Sequence, residues 1–328
     1  MTGTPLVRIE KLTISLPASS GSRLFPVRDV SLAIDAGEIV GLAGESGSGK
    51  TITALSLLGL LPPGGRMSGR ILFDGQDIVE MAPRQLASLR GRDIAMVFQD
   101  PMTALHPMLS IEKQMTEHLR HHRGLDAAAA RTRAIELLDM VRIPDAKRSL
   151  KRFPHQFSGG MRQRIAIAIA LCCAPRLLIA DEPTTALDVT VQAGILRLLQ
   201  DLRADLDLSV LLITHDMGVM SALTDRVAVM YAGRIVEQGR RASVLAHPRH
   251  PYTHGLLAAL PHADAAGISL TPLQGTPPAI GALPPGCPFH PRCAWAEPRC
   301  QAVEPDLAGV EADRTIACCV DPLAREFA

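Results

Sequence analysis

The stretch Gly44-Glu45-Ser46-Gly47-Ser48-Gly49-Lys50-Thr51 carries the residue types and spacing of a phosphate cradle. Glycines let backbone N–H groups turn inward around phosphate oxygens, and a following helix N-terminus adds positive potential. Lys50 would reach the β- and γ-phosphates, and the Thr51 hydroxyl would ligate Mg²⁺. The competing reading is a plain glycine turn between strand and helix. A second candidate is Leu177-Leu178-Ile179-Ala180-Asp181-Glu182, an apolar strand running into two carboxylates. At the C-terminal edge of a sheet, Asp181 can hold Mg²⁺ and Glu182 can polarise an attacking water. Alone, the same run reads equally as a buried strand ending in a solvated acidic turn.

These groups need a scaffold. Apolar runs at Ile39–Ala43, Ile94–Phe98, Leu177–Ala180, Val210–Ile213 and Val227–Met230 predict strands. Thr51–Leu61, Ala127–Val141, Met161–Cys173 and Val191–Leu206 predict helices. Their alternation points to an α/β domain with a mostly parallel sheet covered on both faces. The first of these strands leads into the glycine loop and the first helix leaves it, the context a phosphate loop requires. Asp100 to Phe157 lacks strand patterns and predicts a helical insertion. After Leu260, Pro, Gly and Cys become frequent, a composition expected not to continue the sheet, so a small appended unit is expected there.

Bulk composition narrows the partners. With 328 residues and 47% hydrophobic content the chain can bury a large core. Its 34 basic and 33 acidic residues leave a net charge of +1, with no general attraction to nucleic acid or to an anionic membrane. No secretory leader is evident at the N-terminus. The longest apolar run, Ile165 to Ala174, is about half of the ~20 residues that cross a bilayer. Of seven cysteines, Cys172 and Cys173 lie in an apolar helix and read as core. The others crowd the C-terminus, and Cys287, Cys293, Cys300 and Cys318 suit either an iron–sulfur cluster or zinc, with Cys319 able to replace Cys318.

The segment Phe157-Ser158-Gly159-Gly160-Met161-Arg162-Gln163-Arg164, between the glycine loop and the acidic strand, resembles the signature motif of ABC ATPases, with Phe157 where Leu is usual. Ser158, Gly159 and Gly160 would form a second anion cradle at a helix start. The remaining motifs of that family follow in order. Gln99 resembles the Q-loop glutamine that contacts Mg²⁺ and the lytic water, Ala186-Leu187-Asp188 the D-loop, and His215 the switch histidine at the γ-phosphate. The resemblance implies a P-loop NTPase (RecA-like) fold with a helical subdomain at about residues 100–165. Residues 1–260 would form the ATPase domain and residues 261–328 a cysteine-bearing extension. It further implies a catalytic set of Lys50, Gln99, Glu182 and His215, with Mg²⁺ on Thr51, Gln99 and Asp181. Two such domains would meet head to tail, each nucleotide lying between the glycine loop of one and the signature of the other. Family members stack an aromatic ring on adenine; Leu16 stands at the aligned place, and Phe25 is the nearest aromatic.

Three stretches resemble the dipeptide, oligopeptide and nickel importer branch: Phe98 to Pro107, Asp181 to Gln192, and His250-Pro251-Tyr252-Thr253-His254-Gly255-Leu256-Leu257. The cysteine spacing resembles that branch's C-terminal motif, for which a 4Fe-4S cluster is the implied occupant. The branch implies two membrane-spanning permease subunits, a second ATPase subunit of either the same or a related chain, an extracytoplasmic binding protein and a place on the cytoplasmic face of the membrane. A soluble ABC ATPase acting on DNA or ribosomes is the competing class; such proteins usually carry two cassettes or a long coiled coil. Cargo is left open between peptide, nickel and other small solutes.

Overall fold

The computed structural model describes residues 4–19, 21–185, 187–259 and 273–325. The boundary expected at residue 260 and Ala186 of the expected D-loop lie outside these. The chain divides into two compact units: Met1–Asp35, Ile39–Glu80 and Thr214–Ala328 form one, Ala36–Glu38 and Met81–Ile213 the other.

In the first unit, strands Val7–Pro17, Arg23–Ile34, Arg66–Phe73 and Gln76–Asp77 build an antiparallel sheet, with Val7–Pro17 between Arg23–Ile34 and Arg66–Phe73. Alternation along Val7–Pro17 changes phase: Val7 and Ile9 are buried, then Leu12 and Ile14. Lys11 lies between them at φ 49, and the register slips there against both neighbours. Such a bulge reverses which residues face the core.

The same unit holds Ile39–Ala43, buried throughout, paired in parallel with Arg226–Tyr231. From there the sheet departs from the parallel pattern expected. Ala232 and Gly233, at φ 48 and 85, form a tight turn that sends Arg234–Arg240 back antiparallel. A two-residue turn with both centres left-handed matches strand twist and closes a hairpin. The expectation that the C-terminal segment could not continue a sheet is also corrected: Ala308–Glu311 and Arg314–Ile316 form a hairpin whose Ile316 and Thr315 pair with Glu237 and Gln238. Arg314 fixes it there, its buried guanidinium donating to the Glu237 carboxylate, 3.1 Å from Nε.

The second unit holds three parallel strands, Ile94–Val97, Leu177–Asp181 and Ser209–Thr214, the middle one flanked by the other two. Between Val97 and Leu177 only helical elements occur among the described residues, the longer ones being Ile111–Arg123, Ala127–Met140 and Gly159–Ala170. Their starts are written locally: Ser110, Asp126 and Ser158 cap them, each side chain accepting from an N–H three residues on. The helix after the glycine loop is shorter than expected, Lys50–Leu57. Gly59, at φ 59, ends it with the Leu60 N–H turned back to the Leu55 carbonyl. Similarly, the expected Met161–Cys173 helix begins at Gly159 and ends at Ala170, so Cys172 and Cys173 sit in the following turn, both buried.

Candidate phosphate and hydrolysis sites

In the first unit, Gly44, Gly47 and Gly49 adopt φ of 147, 78 and 104. Gly49 has no room for a side chain, since a Cβ would lie 2.6 Å from the Pro26 carbonyl oxygen. The loop therefore packs directly on the strand Arg23–Ile34. Lys50 is buried and its Nζ donates to the carbonyls of Gly44 (2.7 Å) and Glu45 (2.9 Å), so it folds back along the loop. Ser46, Gly47 and Thr51 are exposed. Ser48 Oγ is buried and has no hydrogen-bond partner among the described residues. An orphaned hydroxyl beneath left-handed glycines, with a lysine at the loop, fits a phosphate ligand.

Glu45 is held from both ends. Its backbone N–H donates to the Tyr252 hydroxyl (2.8 Å), and its carboxylate accepts two bonds from Arg292, at 2.7 and 2.9 Å. Sequence reasoning overlooked this pairing: Tyr252 belongs to a quoted motif and Arg292 precedes Cys293, but neither stretch points to Glu45 as its partner. His215 is exposed just beyond Ser209–Thr214. Leu16 is half-buried on its strand, whereas Phe25 is 47% exposed.

In the second unit, Val97 pairs with Ala180 in parallel, so Gln99 and Glu182 both lie two residues further on at the same sheet edge. Gln99 Nε2 donates to Glu182 Oε2 at 2.9 Å, and Thr185 Oγ1 donates to the same oxygen at 2.9 Å. Glu182 has φ 46, an uncommon conformation for a residue with a side chain. Asp181 is buried at the end of its strand. Ser158 is exposed at its cap, Oγ 3.4 Å from the Met161 nitrogen. The following helix meets Val189–Leu206 so closely that a Cβ on Gly160 would overlap the Val191 side chain. Phe157 is buried with the Arg152 guanidinium 4.5 Å above its ring.

The C-terminal cysteines Cys287, Cys293, Cys300, Cys318 and Cys319 line one small, partly open cavity. Burial pushes the Cys287 thiol up to about 11, and nearby Cys318, Cys300 and Cys293 add to the rise. Backbone hydrogen bonds act the other way, from Phe289 on Cys287, from Trp295 on Cys293, and from Asp321 and Val320 on Cys318. N–H groups aimed at sulfur stabilise thiolates. Among the described residues, no three His, Cys, Asp or Glu side chains converge as a metal site. Likewise none of the described helices is long and apolar enough to cross a membrane.

Comparisons with known proteins identify the family. The ABC transporter family profile matches residues 27–185, and that of the oligopeptide/dipeptide transporter C-terminal region matches residues 236–300. The dipeptide transport ATP-binding protein DppD of Bacillus subtilis is 49% identical over 290 residues, covering 88% of this chain and 86% of that protein. The oligopeptide transport ATP-binding protein OppD of Salmonella typhimurium is 46% identical over 291 residues, covering 89% and 87%. Among solved structures, the ATP-binding cassette MJ0796, a dimer in a post-hydrolysis state with ADP and Pi, superposes with a TM-score of 0.63 at 28% identity, covering 72% of this chain and 98% of that one. The chain belongs to the ABC transporter family, among the ATP-binding proteins of its dipeptide and oligopeptide branch.

Proposed function

We propose that this chain binds and hydrolyses ATP to drive import of di- or oligopeptides through two membrane-spanning permease subunits. The observation that carries the hydrolytic reading is the Gln99–Glu182 hydrogen bond, reinforced by Thr185, at the C-terminal edge of parallel strands. It orients a carboxylate as a general base for water. Backbone groups of Gly44 to Thr51, with Lys50, hold the phosphates; Thr51, Gln99 and Asp181 serve Mg²⁺; His215 takes the γ-phosphate. Ser158, Gly159 and Gly160 act on the nucleotide of a second ATPase subunit, as expected of cassettes that work in pairs. Phe25, the exposed ring, stacks on adenine.

Residues 1–260 form the ATPase domain, with a helical subdomain at about 100–165, and residues 261–328 the cysteine-bearing extension. Cys287, Cys293, Cys300 and Cys318 are the residues that would hold a 4Fe-4S cluster, which would supply a covalent brace for the extension. Their shared cavity and the N–H groups directed at three of the sulfurs support this, and favour Cys318 over Cys319 as the fourth ligand. In the assembled transporter this chain lies on the cytoplasmic face of the membrane, beneath permease subunits that receive cargo from an extracytoplasmic binding protein.

Co-expression with the permease subunits tests the reading. Purified complex should hydrolyse ATP, and Glu182→Gln should keep ATP binding while slowing turnover by about 10²–10⁴-fold. Unimpaired hydrolysis by that variant would remove Glu182 from the mechanism, and unimpaired peptide uptake by a deletion strain would remove the transport assignment.

A further inference from the structure

The glycine loop has one charged side chain besides Lys50, and that side chain is committed to the cysteine segment. Glu45 and Arg292 are 247 residues apart in sequence and meet through two parallel N–H···O bonds. Arg292 has only 5% of its side chain exposed. Its guanidinium lies 5.7 Å from the centre of the Tyr231 ring and 5.9 Å from that of Phe289, and Nε donates to the Gln274 carbonyl at 2.9 Å. Tyr231, Tyr252 and Phe289 pack on one another, with ring centres 4.6 to 5.4 Å apart. The guanidinium is thus held by hydrogen bonds and lies close to two aromatic rings, and Tyr252 from the same ring cluster bonds the Glu45 backbone.

Arg292 is also part of a tight turn. The His290 N–H donates to the Cys287 carbonyl at 3.0 Å, the Arg292 N–H to Phe289 at 2.9 Å, and the Cys293 N–H to His290 at 3.2 Å. The backbone from which the guanidinium extends is therefore set by the Cys287–Cys293 turn.

We propose that Arg292 is a positioning residue for ATP: through its paired bonds to Glu45 it holds the glycine loop in its ligand-ready shape and makes the Cys287–Cys293 turn part of that support. The proposal rests on reading Gly44 to Thr51 as the ATP site. A loop with three left-handed glycines has many conformations to lose on binding. Anchoring it beforehand lowers that cost, so the effect falls on affinity. Arg292 is suited to the task because a planar fork satisfies both carboxylate oxygens at once, which a lysine cannot do. A residue that only braced the C-terminal segment would change thermal stability and leave nucleotide affinity alone.

The test uses the full chain assembled with its permease subunits, comparing wild type, Arg292→Ala, Arg292→Lys, Glu45→Gln and the Arg292→Ala/Glu45→Gln double variant. ATP KM and kcat and the melting temperature are measured for each. Arg292→Ala should raise KM about 10-fold, equivalent to about 1.4 kcal/mol, with kcat changed far less. Glu45→Gln should do the same, the double variant should be no worse than either single one, and Arg292→Lys should fall between. If Arg292→Ala fails to fold, Arg292→Lys and Glu45→Gln carry the same comparison. An unchanged KM in the folded variants, or fully additive losses in the double variant, overturns the proposal. Failure of the wild-type chain to bind ATP would instead overturn the reading of the loop.

Discussion

Gly49→Ala is the sharpest probe of how the glycine loop is seated. Gly49 adopts φ 104 and ψ 3, directly before the helix Lys50–Leu57, and an L-residue there costs about 1–3 kcal/mol in backbone strain. The new Cβ would also lie 2.6 Å from the Pro26 carbonyl oxygen and 3.2 Å from Met230 Cε. The methionine can turn aside, but the oxygen is backbone in a paired strand, so relief requires the loop or the strand to move. Overpacking of that kind costs about 1–3 kcal/mol more. Gly47→Ala supplies the internal comparison: its φ is 78, yet nothing lies within 4 Å of its Cβ, so only the strain applies. Urea unfolding of the full chain should show Gly49→Ala less stable than Gly47→Ala by about 1–3 kcal/mol, at unchanged m-value. ATP affinity should fall too, because lifting Gly49 carries Lys50 away from its bonds to Gly44 and Glu45. Equal stability of the two variants would show that the Pro26 contact does not seat the loop.

Three other perturbations concern Arg314, His250 and Cys293. Replacing Arg314 with Leu strands the fully buried Glu237 carboxylate, which otherwise also accepts the Arg249 and His250 N–H groups at 3.0 Å, and should cost about 3–5 kcal/mol in thermal unfolding; Glu237→Gln in the same chain should recover part of it, and a lone Arg314→Leu with wild-type stability would refute the account. Burial pushes His250 down to about 4 from 6.5, against a weaker opposing backbone bond at Ala317, so between those values the unfolded chain binds more protons than the folded one. Stability should rise with pH across that window and fall on acidification by about 3 kcal/mol in all, a slope that His250→Asn removes; an unaltered slope in the variant would assign it elsewhere. Anaerobically purified protein should contain iron and the visible absorbance of an iron–sulfur cluster, both lost in Cys293→Ser; colourless protein with stoichiometric zinc would replace the cluster with zinc.

What the chain disclosed unaided was whatever neighbours along the sequence decide. The Gly44 to Thr51 loop, the Ser158 cap and the apolar strand ending at Asp181 are each written within a few residues, and they were legible for that reason. Gln99 and Glu182 were named separately; only the pairing of Val97 with Ala180 shows why they touch. The Val7–Pro17 strand was masked by the bulge at Lys11, which splits its alternation into two short halves that look like noise. The 308–316 hairpin was hidden differently: Ala308–Glu311 is largely exposed and has no apolar period, and it is pairing with Glu237 and Gln238 that makes Arg314–Ile316 a strand. Arg292 lay furthest out of reach, because a lone arginine beside Cys293 carries no record of a carboxylate 247 residues away. The two features that read as separate motifs, the phosphate loop and the cysteine turn, are joined through a bond that neither motif contains. On the proposal above, nucleotide affinity in this chain is a property of the C-terminal segment as well as of the Gly44 to Thr51 loop.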